Sequence, residues 1–408
     1  MQEASKYAVG IDIGTTTVRC VIGHIDETTG TPTIVGVGTV SNNGMRKGTV
    51  VNLASPAQAI DDALGEAERM SGYQVNGATI NINGTHILST HTDGMIAVGN
   101  TGHEITPEDV MRIEEVATLG KVPANREILD VVPHAYKLDG QDNIKDPVGM
   151  TGTRLEVDAH VVSALAPHLN NLQKAAEAAK VTPNDIIVSG VAAARAVLKD
   201  NQMENGVALV DIGGSTTNVA VYEEGDLQYA GVIPIGGINI TNDLAIGLKT
   251  DPSIAEELKL KHASAISRRD KSGVSLKGAD NEIYSFQTIE MDEIVEARLE
   301  EIFEGVNREL KRAGRAGRLP NGVVLTGGTA NLKGITDYAK EALGLSATVG
   351  IVSGLGGVAD NIEKPDYATV IGLMLIDAQD GHNKKGRAKN AVSEGVGILS
   401  RFMNRFRA

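Results

Sequence analysis

Apolar and polar residues alternate with a period of two over residues 7–13, 18–24 and 34–40, with a Gly30-Thr31-Pro32 turn between the last two runs, and this predicts three strands. Ser55-Pro56 then opens a helix, with Ser55 as N-cap, Pro56 at the first helical position, and Ile60, Ala63, Leu64 and Ala67 on one face. A buried strand is expected at 78–83. Residues 84–161 read as an inserted α+β unit. Strand-like runs at 87–98, 127–138 and 154–163 surround a helix that begins at Thr106-Pro107-Glu108-Asp109, with its acids meeting the helix dipole, and runs to about Leu119. An Ala-rich helix at 167–180, a strand at 186–189 and a helix at 191–198 follow, and a second hairpin begins at Val207. Residues 244–312 read as largely helical. Within them Met291, Ile294, Val295, Leu299, Ile302, Phe303, Val306 and Leu310 form one stripe. Glu296, Glu300, Glu301 and Glu304 lie off that stripe, as a solvated face or a partner's. Residues 322–334 predict strand, Gly-Gly turn and helix start. Residues 368–376 predict an apolar helix in which Gly372 allows close packing, and 381–391 a flexible linker rich in Gly, Lys, Arg and Asn.

One strand-turn-strand pattern is written twice: GIDIGTTTVRCVIG at 10–23 and LVDIGGSTTNVAVY at 209–222. A single Asp-x-Gly turn is ordinary hairpin chemistry. Two copies suggest related half-domains facing one ligand, and their residues suit a polyphosphate. Gly14, Gly213 and Gly214 leave no Cβ in the way of a phosphate; Thr15, Thr16, Ser215 and Thr216 add hydroxyls. Asp12 and Asp211 would hold Mg2+ through its waters. A third turn, at Gly327-Gly328-Thr329-Ala330, lets a base or ribose lie against backbone at a helix start. Glu256 and Lys259 share a helix face, where they grip the nucleoside or form a surface ion pair.

With 408 residues, two or more domains are expected. A net charge of −14, no Trp and 3% aromatics argue against nucleic-acid binding. The lone Cys20 excludes a disulfide framework within the chain and fits a reducing cytosol. The N-terminus lacks a signal-peptide core, and no 18-residue apolar stretch is present.

In this order the four elements resemble the actin-like ATPase superfamily, and more closely its FtsA family of bacterial cell-division proteins. The segments GVGTVSNNGMRKGTVVN (36–52), DPVGMTGTRL (146–155), GGINITND (236–243), IVEARLEEIF (294–303), VVLTGGTANLKGI (323–335) and YATVIGLML (367–375) carry the resemblance over nearly the whole chain. It implies an α/β, duplicated actin-like (ribonuclease H-like) fold. Subdomain 1A would comprise 1–83, 162–198 and 368–378; the FtsA-type insert 1C, 84–161; subdomain 2A, 199–243 and 320–367; and 2B, 244–319. It implies ATP and Mg2+ in a cleft between the halves, with Gly237 joining the nucleotide-binding residues. It implies self-association into filaments through the insert, the FtsZ C-terminal peptide bound around 244–312, recruitment of later division proteins, and a place at the septum. The chain departs from the family pattern at Thr16-Thr17, commonly Ser-Lys, and at Ser215 and Asn218, usually Gly and Asp. Where chaperone relatives carry a Glu that orients the attacking water, Ser189-Gly190-Val191 stands, so slow or no hydrolysis is expected.

After a linker at 379–391, residues 392–408 predict an amphipathic helix. Ile398, Leu399, Phe402, Met403 and Phe406 fall within an arc of about 140°, and Arg401, Arg405 and Arg407 fill the rest. From Gly381 onward the formal charge is +6. Such a helix suits the anionic lipids of the inner membrane's cytoplasmic face; docking on its own core is the plainer alternative. The rival assignments are a PilM-like adaptor of type IV pilus assembly and a small-molecule kinase of the same superfamily. No carboxylate over an acceptor pocket can be placed for the kinase.

Overall fold

The computed structural model describes residues 7–26, 32–100, 102–267, 272–278, 282–358 and 362–387; the amphipathic segment 392–408 lies outside them. The opening alternation forms β1 (Tyr7–Ile13), β2 (Thr17–Ile25) and β3 (Pro32–Ser41). A short pair, β4 (Met45–Arg46) and β5 (Thr49–Val50), leads to α1 (Ala54–Ser71) and β6 (Gly77–Ile82). On α1 the stripe Ile60, Ala63, Leu64 and Ala67 is buried, as expected. Ser55 is not the cap: Leu53 holds that position, and the Ser55 amide donates to Asn52 Oδ1 at 3.2 Å. The helix starts ahead of Pro56, so an upstream asparagine does the work assigned to the serine.

The insert follows as β7 (Leu88–Ala97), α2 (Pro107–Thr118), β8 (Arg126–Leu138), β9 (Gln141–Ile144) and β10 (Arg154–Leu165). Its sheet runs in the order β7-β10-β8-β9 and has its own core with α2. Thr106 caps α2 through a reciprocal pair: its hydroxyl accepts from the Asp109 amide (3.2 Å), and Asp109 Oδ2 accepts from the Thr106 amide (3.1 Å).

Next come α3 (Ala166–Ala178), β11 (Thr182–Val188), α4 (Ser189–Val197), α5 (Asp200–Asn205), β12 (Val207–Ile212), β13 (Thr217–Glu223) and β14 (Asp226–Ile233). They are followed by α6 (Gly237–Gly247), α7 (Pro252–His262), β15 (Gly273–Lys277), β16 (Ile283–Gln287), α8 (Thr288–Arg312), β17 (Val323–Thr326), α9 (Ile335–Leu343), β18 (Ala347–Val349) and α10 (Ala368–Arg387). The expectation of a largely helical 244–312 holds for α7 and α8 but misses the hairpin β15–β16. The α8 stripe is buried throughout except for half-buried Ile294. Helix α10 runs through 381–387, so that part of the expected flexible linker is helical. No proline interrupts it, and basic residues suit a helix C-terminus.

The duplication is literal at the level of topology. The first sheet is ordered β3-β2-β1-β6-β11 and the second β14-β13-β12-β17-β18. In each, three antiparallel strands continue into two parallel ones. Gly372 of α10 brings that helix against α4, since a Cβ there would lie 1.7 Å from the Ala192 carbonyl oxygen.

Candidate functional site

Both hairpin turns close in the same way. The Gly14 amide donates to the Thr17 carbonyl (3.0 Å), and the Gly213 amide to the Thr216 carbonyl (2.9 Å). Those amides are spent, so the two glycines serve by shape, and donors to an anion come from the residues after them. The turns face each other: Ser215 Oγ donates to Thr15 Oγ1 at 2.8 Å. A Cβ on Gly214 would sit 2.8 Å from Thr16 Cγ2. Asn83 Nδ2 ties the lobes again by donating to Thr216 Oγ1 (3.0 Å). The turns line a cleft of about 640 Å³, together with α6, α7 and the Gly327-Gly328 turn. That volume is typical of small-molecule sites.

Asp12 and Asp211 end equivalent strands, β1 and β12, and both carboxylates face this cleft. Asn81 Nδ2 donates to Asp12 Oδ1 (2.7 Å), and Asn218 Nδ2 to Asp211 Oδ2 (3.0 Å). Burial pushes the Asp12 carboxyl up to about 7, with Asp211 adding to it and Arg19 and Asn81 opposing. Burial likewise pushes Asp211 up to about 6, against Asn218 and Arg19. Two carboxylates on one cleft wall, Asp12 half-buried and Asp211 buried, without a full counter-charge are an oxygen donor set that fits a hard divalent cation. Mg2+ beside a phosphate would restore both to the ionised form.

Helix α7 is set by Asp251, whose carboxylate caps the Ser253 amide (2.8 Å), and by Pro252 in its first turn. Glu256 and Lys259 then share a face, as expected. They are not a simple surface pair. Lys259 Nζ donates to Glu256 Oε2 (2.6 Å), to Thr241 Oγ1 (2.8 Å) and to the Gly237 carbonyl (3.1 Å), tying α7 to the start of α6. Gly237 is required there, because a Cβ would meet Thr329 Oγ1 at 2.5 Å. Gly327 has φ +83°, and a Cβ would meet Asp211 Oδ1 at 2.5 Å. Gly328 lines the cleft; Ala330 does not, being 3% exposed and packed in the second lobe's core.

The structure adds residues that sequence reading missed. Asn81 donates to both Asp12 and Ser189 Oγ (2.9 Å) and accepts from the Ile13 amide (2.6 Å). It lies in the strand expected at 78–83, but nothing in that apolar run marks it as a site residue. Arg19 also lines the cleft, paired with Asp366 at 2.9 Å. Its signal was available: in a tight hairpin, Asp12 and Arg19 fall directly opposite each other.

A family model described as "Cell division protein FtsA" matches residues 208–372, and one described as "SHS2 domain inserted in FTSA" matches residues 84–163. The chain is 37% identical to the cell division protein FtsA of Bacillus subtilis over 374 residues, spanning 91% of this chain and 83% of that protein. To the Pseudomonas aeruginosa protein it is 34% identical over 380 residues (92% and 90%). To that of Escherichia coli K12 it is 31% identical over 409 residues (98% and 97%). Among solved structures, the PilM–PilN type IV pilus biogenesis complex aligns with TM-score 0.67 at 16% identity, over 92% of this chain and 99% of that one. MreB5 of Spiroplasma citri bound to ADP aligns with TM-score 0.58 at 12% identity, over 94% and 99%. At those identities the structures establish a shared actin-like fold alone. The sequence relatives establish more: this chain belongs to the FtsA family of cell division proteins.

Proposed function

We propose that the protein binds ATP with Mg2+ between its two lobes and links FtsZ filaments to the cytoplasmic membrane at the division septum. The observation that carries the nucleotide reading is the meeting of the two hydroxyl-rich turns, with Ser215 Oγ 2.8 Å from Thr15 Oγ1, beside the Asp12 and Asp211 carboxylates. When ATP and Mg2+ bind, they supply a charged bridge between the lobes. Thr15, Thr16, Ser215 and Thr216 offer hydroxyls to the phosphates, Asp12 and Asp211 hold the hydrated cation, and Gly237, Glu256, Lys259, Gly327 and Gly328 wall the nucleoside end. Hydrolysis is slow: at the start of α4 the cleft presents Ser189, whose hydroxyl accepts from Asn81, rather than a carboxylate.

The partner assignments extend this reading. The FtsZ C-terminal peptide docks on the second lobe around 244–312, and copies associate through the insert. Residues 392–408 bind anionic lipid weakly in a single copy and firmly when many copies are joined. Among the described residues no helix is long and apolar enough to cross a membrane. The pilus-adaptor alternative rests on fold likeness alone, whereas the division reading rests on identity along more than nine-tenths of the chain.

Calorimetry with Mg-ATP tests the site. Gly214→Val, whose side chain would wedge against Thr16, should abolish binding; undiminished affinity would refute the cleft. Turnover above about 1 s⁻¹, the low end of ordinary enzymes, would contradict the hydrolysis reading. A synthetic FtsZ C-terminal peptide should capture the intact chain. Removing 392–408 should release it from anionic liposomes without loss of peptide capture.

A further inference from the structure

The duplicated hairpins differ in the residue that stands opposite the aspartate. Opposite Asp211 on the second hairpin stands Asn218; opposite Asp12 on the first stands Arg19. Two cations, Arg19 and Lys259, line the cleft among the described residues. Lys259 is committed to three acceptors at the far end. Arg19 therefore carries the positive charge beside the phosphate turns. Its electrostatic reach covers both carboxylates, since it lowers the pKa of Asp12 and of Asp211.

Its remaining contacts are incomplete. Nη2 donates to Asp366 Oδ2 at 2.9 Å, and the guanidinium lies over the Tyr367 ring, 5.2 Å from its centre. Nε is buried and has no hydrogen-bond partner. Both members of the pair are partly open, 19% and 18% exposed, and both line the cleft. Asp366 belongs to a 3-10 turn, Pro365–Tyr367, whose Pro365 carbonyl accepts the Gly327 amide (3.1 Å).

We propose that Arg19 is an exchange residue, resting on Asp366 when the cleft is empty and donating to the polyphosphate when a nucleotide is bound. The proposal rests on the nucleotide reading above. Asp366 is in contact with the guanidinium, and Asp12 and Asp211 lie within its electrostatic reach. Asp12 and Asp211 would hold a divalent cation bound with the nucleotide. The guanidinium is then free of that duty, and the phosphate oxygens are the stronger acceptors within its planar fork of donors. Asp366 is thus a competitor for Arg19, not a fellow phosphate ligand. The plain alternative is a static clasp in which Arg19 and Asp366 hold β2 to the turn before α10.

The two readings predict different signs. Equilibrium dialysis with labelled ATP, ADP and adenosine, Mg2+ present, would compare the full chain with Arg19→Gln, Arg19→Lys and Asp366→Asn. Exchange predicts that Arg19→Gln weakens ATP and ADP by roughly 10- to 100-fold and leaves adenosine unchanged, with partial recovery in Arg19→Lys. It predicts that Asp366→Asn tightens ATP by about two- to fivefold. If Arg19→Gln and Asp366→Asn both weaken ATP, or either changes adenosine as much as ATP, Arg19 is a clasp and the proposal is overturned. If Arg19→Gln binds ATP as the parent does, it is overturned equally. Should the parent chain bind neither ATP nor ADP, the failure belongs to the nucleotide reading itself.

Discussion

A carboxylate costs most where burial weakens its solvation and counter-charge is short, and burial is the main cause of the raised values of Asp12 and Asp211. Their folded pKa values, about 7 and about 6, stand above the ordinary aspartate value of 3.8. An acid with a raised folded pKa stabilises the fold fully below its unfolded pKa, and that stability is lost as pH rises through the folded value. The nucleotide-free protein should therefore lose stability between about pH 4 and pH 7. Asp12→Asn keeps the acceptor for Asn81 but removes the charge. It should melt higher than the parent at pH 8 without nucleotide, converge with it near pH 4, and bind Mg-ATP much more weakly. Melting curves at both pH values and one binding isotherm check the opposed signs; lowered stability at pH 8 would show that the charge is not the cost. At this scale the chain was legible where chemistry is local. Asp-x-Gly and Gly-Gly mark their own turns, and Gly327 and Gly237 are explained by atoms a Cβ would strike. Asn81 was not legible, because its partners Asp12 and Ser189 are 69 and 108 residues away in sequence. The burial of Ala330 was not legible, because its neighbours line the cleft while it turns into the core.

Elements with a strong period came through with their boundaries nearly intact, as β1 and α2 show, and the apolar stripe of α8 came through residue by residue. The β15–β16 hairpin did not, since five-residue strands offer too few alternations to be told from loop. The insert was legible as a unit, but its seam with the second lobe was not. There Ser89 Oγ accepts the Ala230 amide of β14 (2.9 Å) and pairs with His160 Nε2. His134 and Tyr229 stack or tilt against the His160 ring, and His91 adds its charge. Burial, then the other two histidines, lowers His160 to about 4. At the insert's entry, burial and His168 lower His86 to about 4, with Arg126 also opposing its protonation and Asn83 accepting from it. A base with a depressed folded pKa favours the unfolded chain as pH falls below its unfolded value, about 6.5. The insert should thus hold its full stability above pH 6.5 and lose it progressively toward pH 4. Hydrogen exchange in peptides from 84–163, corrected for intrinsic rates, should rise between pH 7 and pH 5. His160→Gln, which cannot titrate, should flatten that rise. An insert equally protected at both values would show that these rings are not held neutral.

The whole molecule is organised by one strand's alternation. On β12, Val207 and Leu209 join the first lobe's core, while Ala208, Val210 and Ile212 join the second's. The second sheet is therefore shared: one face covers α4 of the first lobe, the other its own helices. The lobes share apolar packing behind the sheet and a polar cleft in front, and a ligand between the two turns would close the open side. The sequence showed two copies of a hairpin but not this sharing, since residues buried on both faces read as one apolar run. A shared back couples the lobes, so a ligand gripping both turns must stabilise both. Mg-ATP at a hundred times its dissociation constant should add about 2.7 kcal/mol to unfolding. Hydrogen exchange in β1 and in β12, the central strands of the two sheets, should slow together on adding Mg-ATP. In Gly214→Val neither should slow, because the wedge at Thr16 separates the turns while leaving the apolar back in place. Protection confined to one sheet would mean that the nucleotide touches a single lobe, and the closed cleft would have to be abandoned.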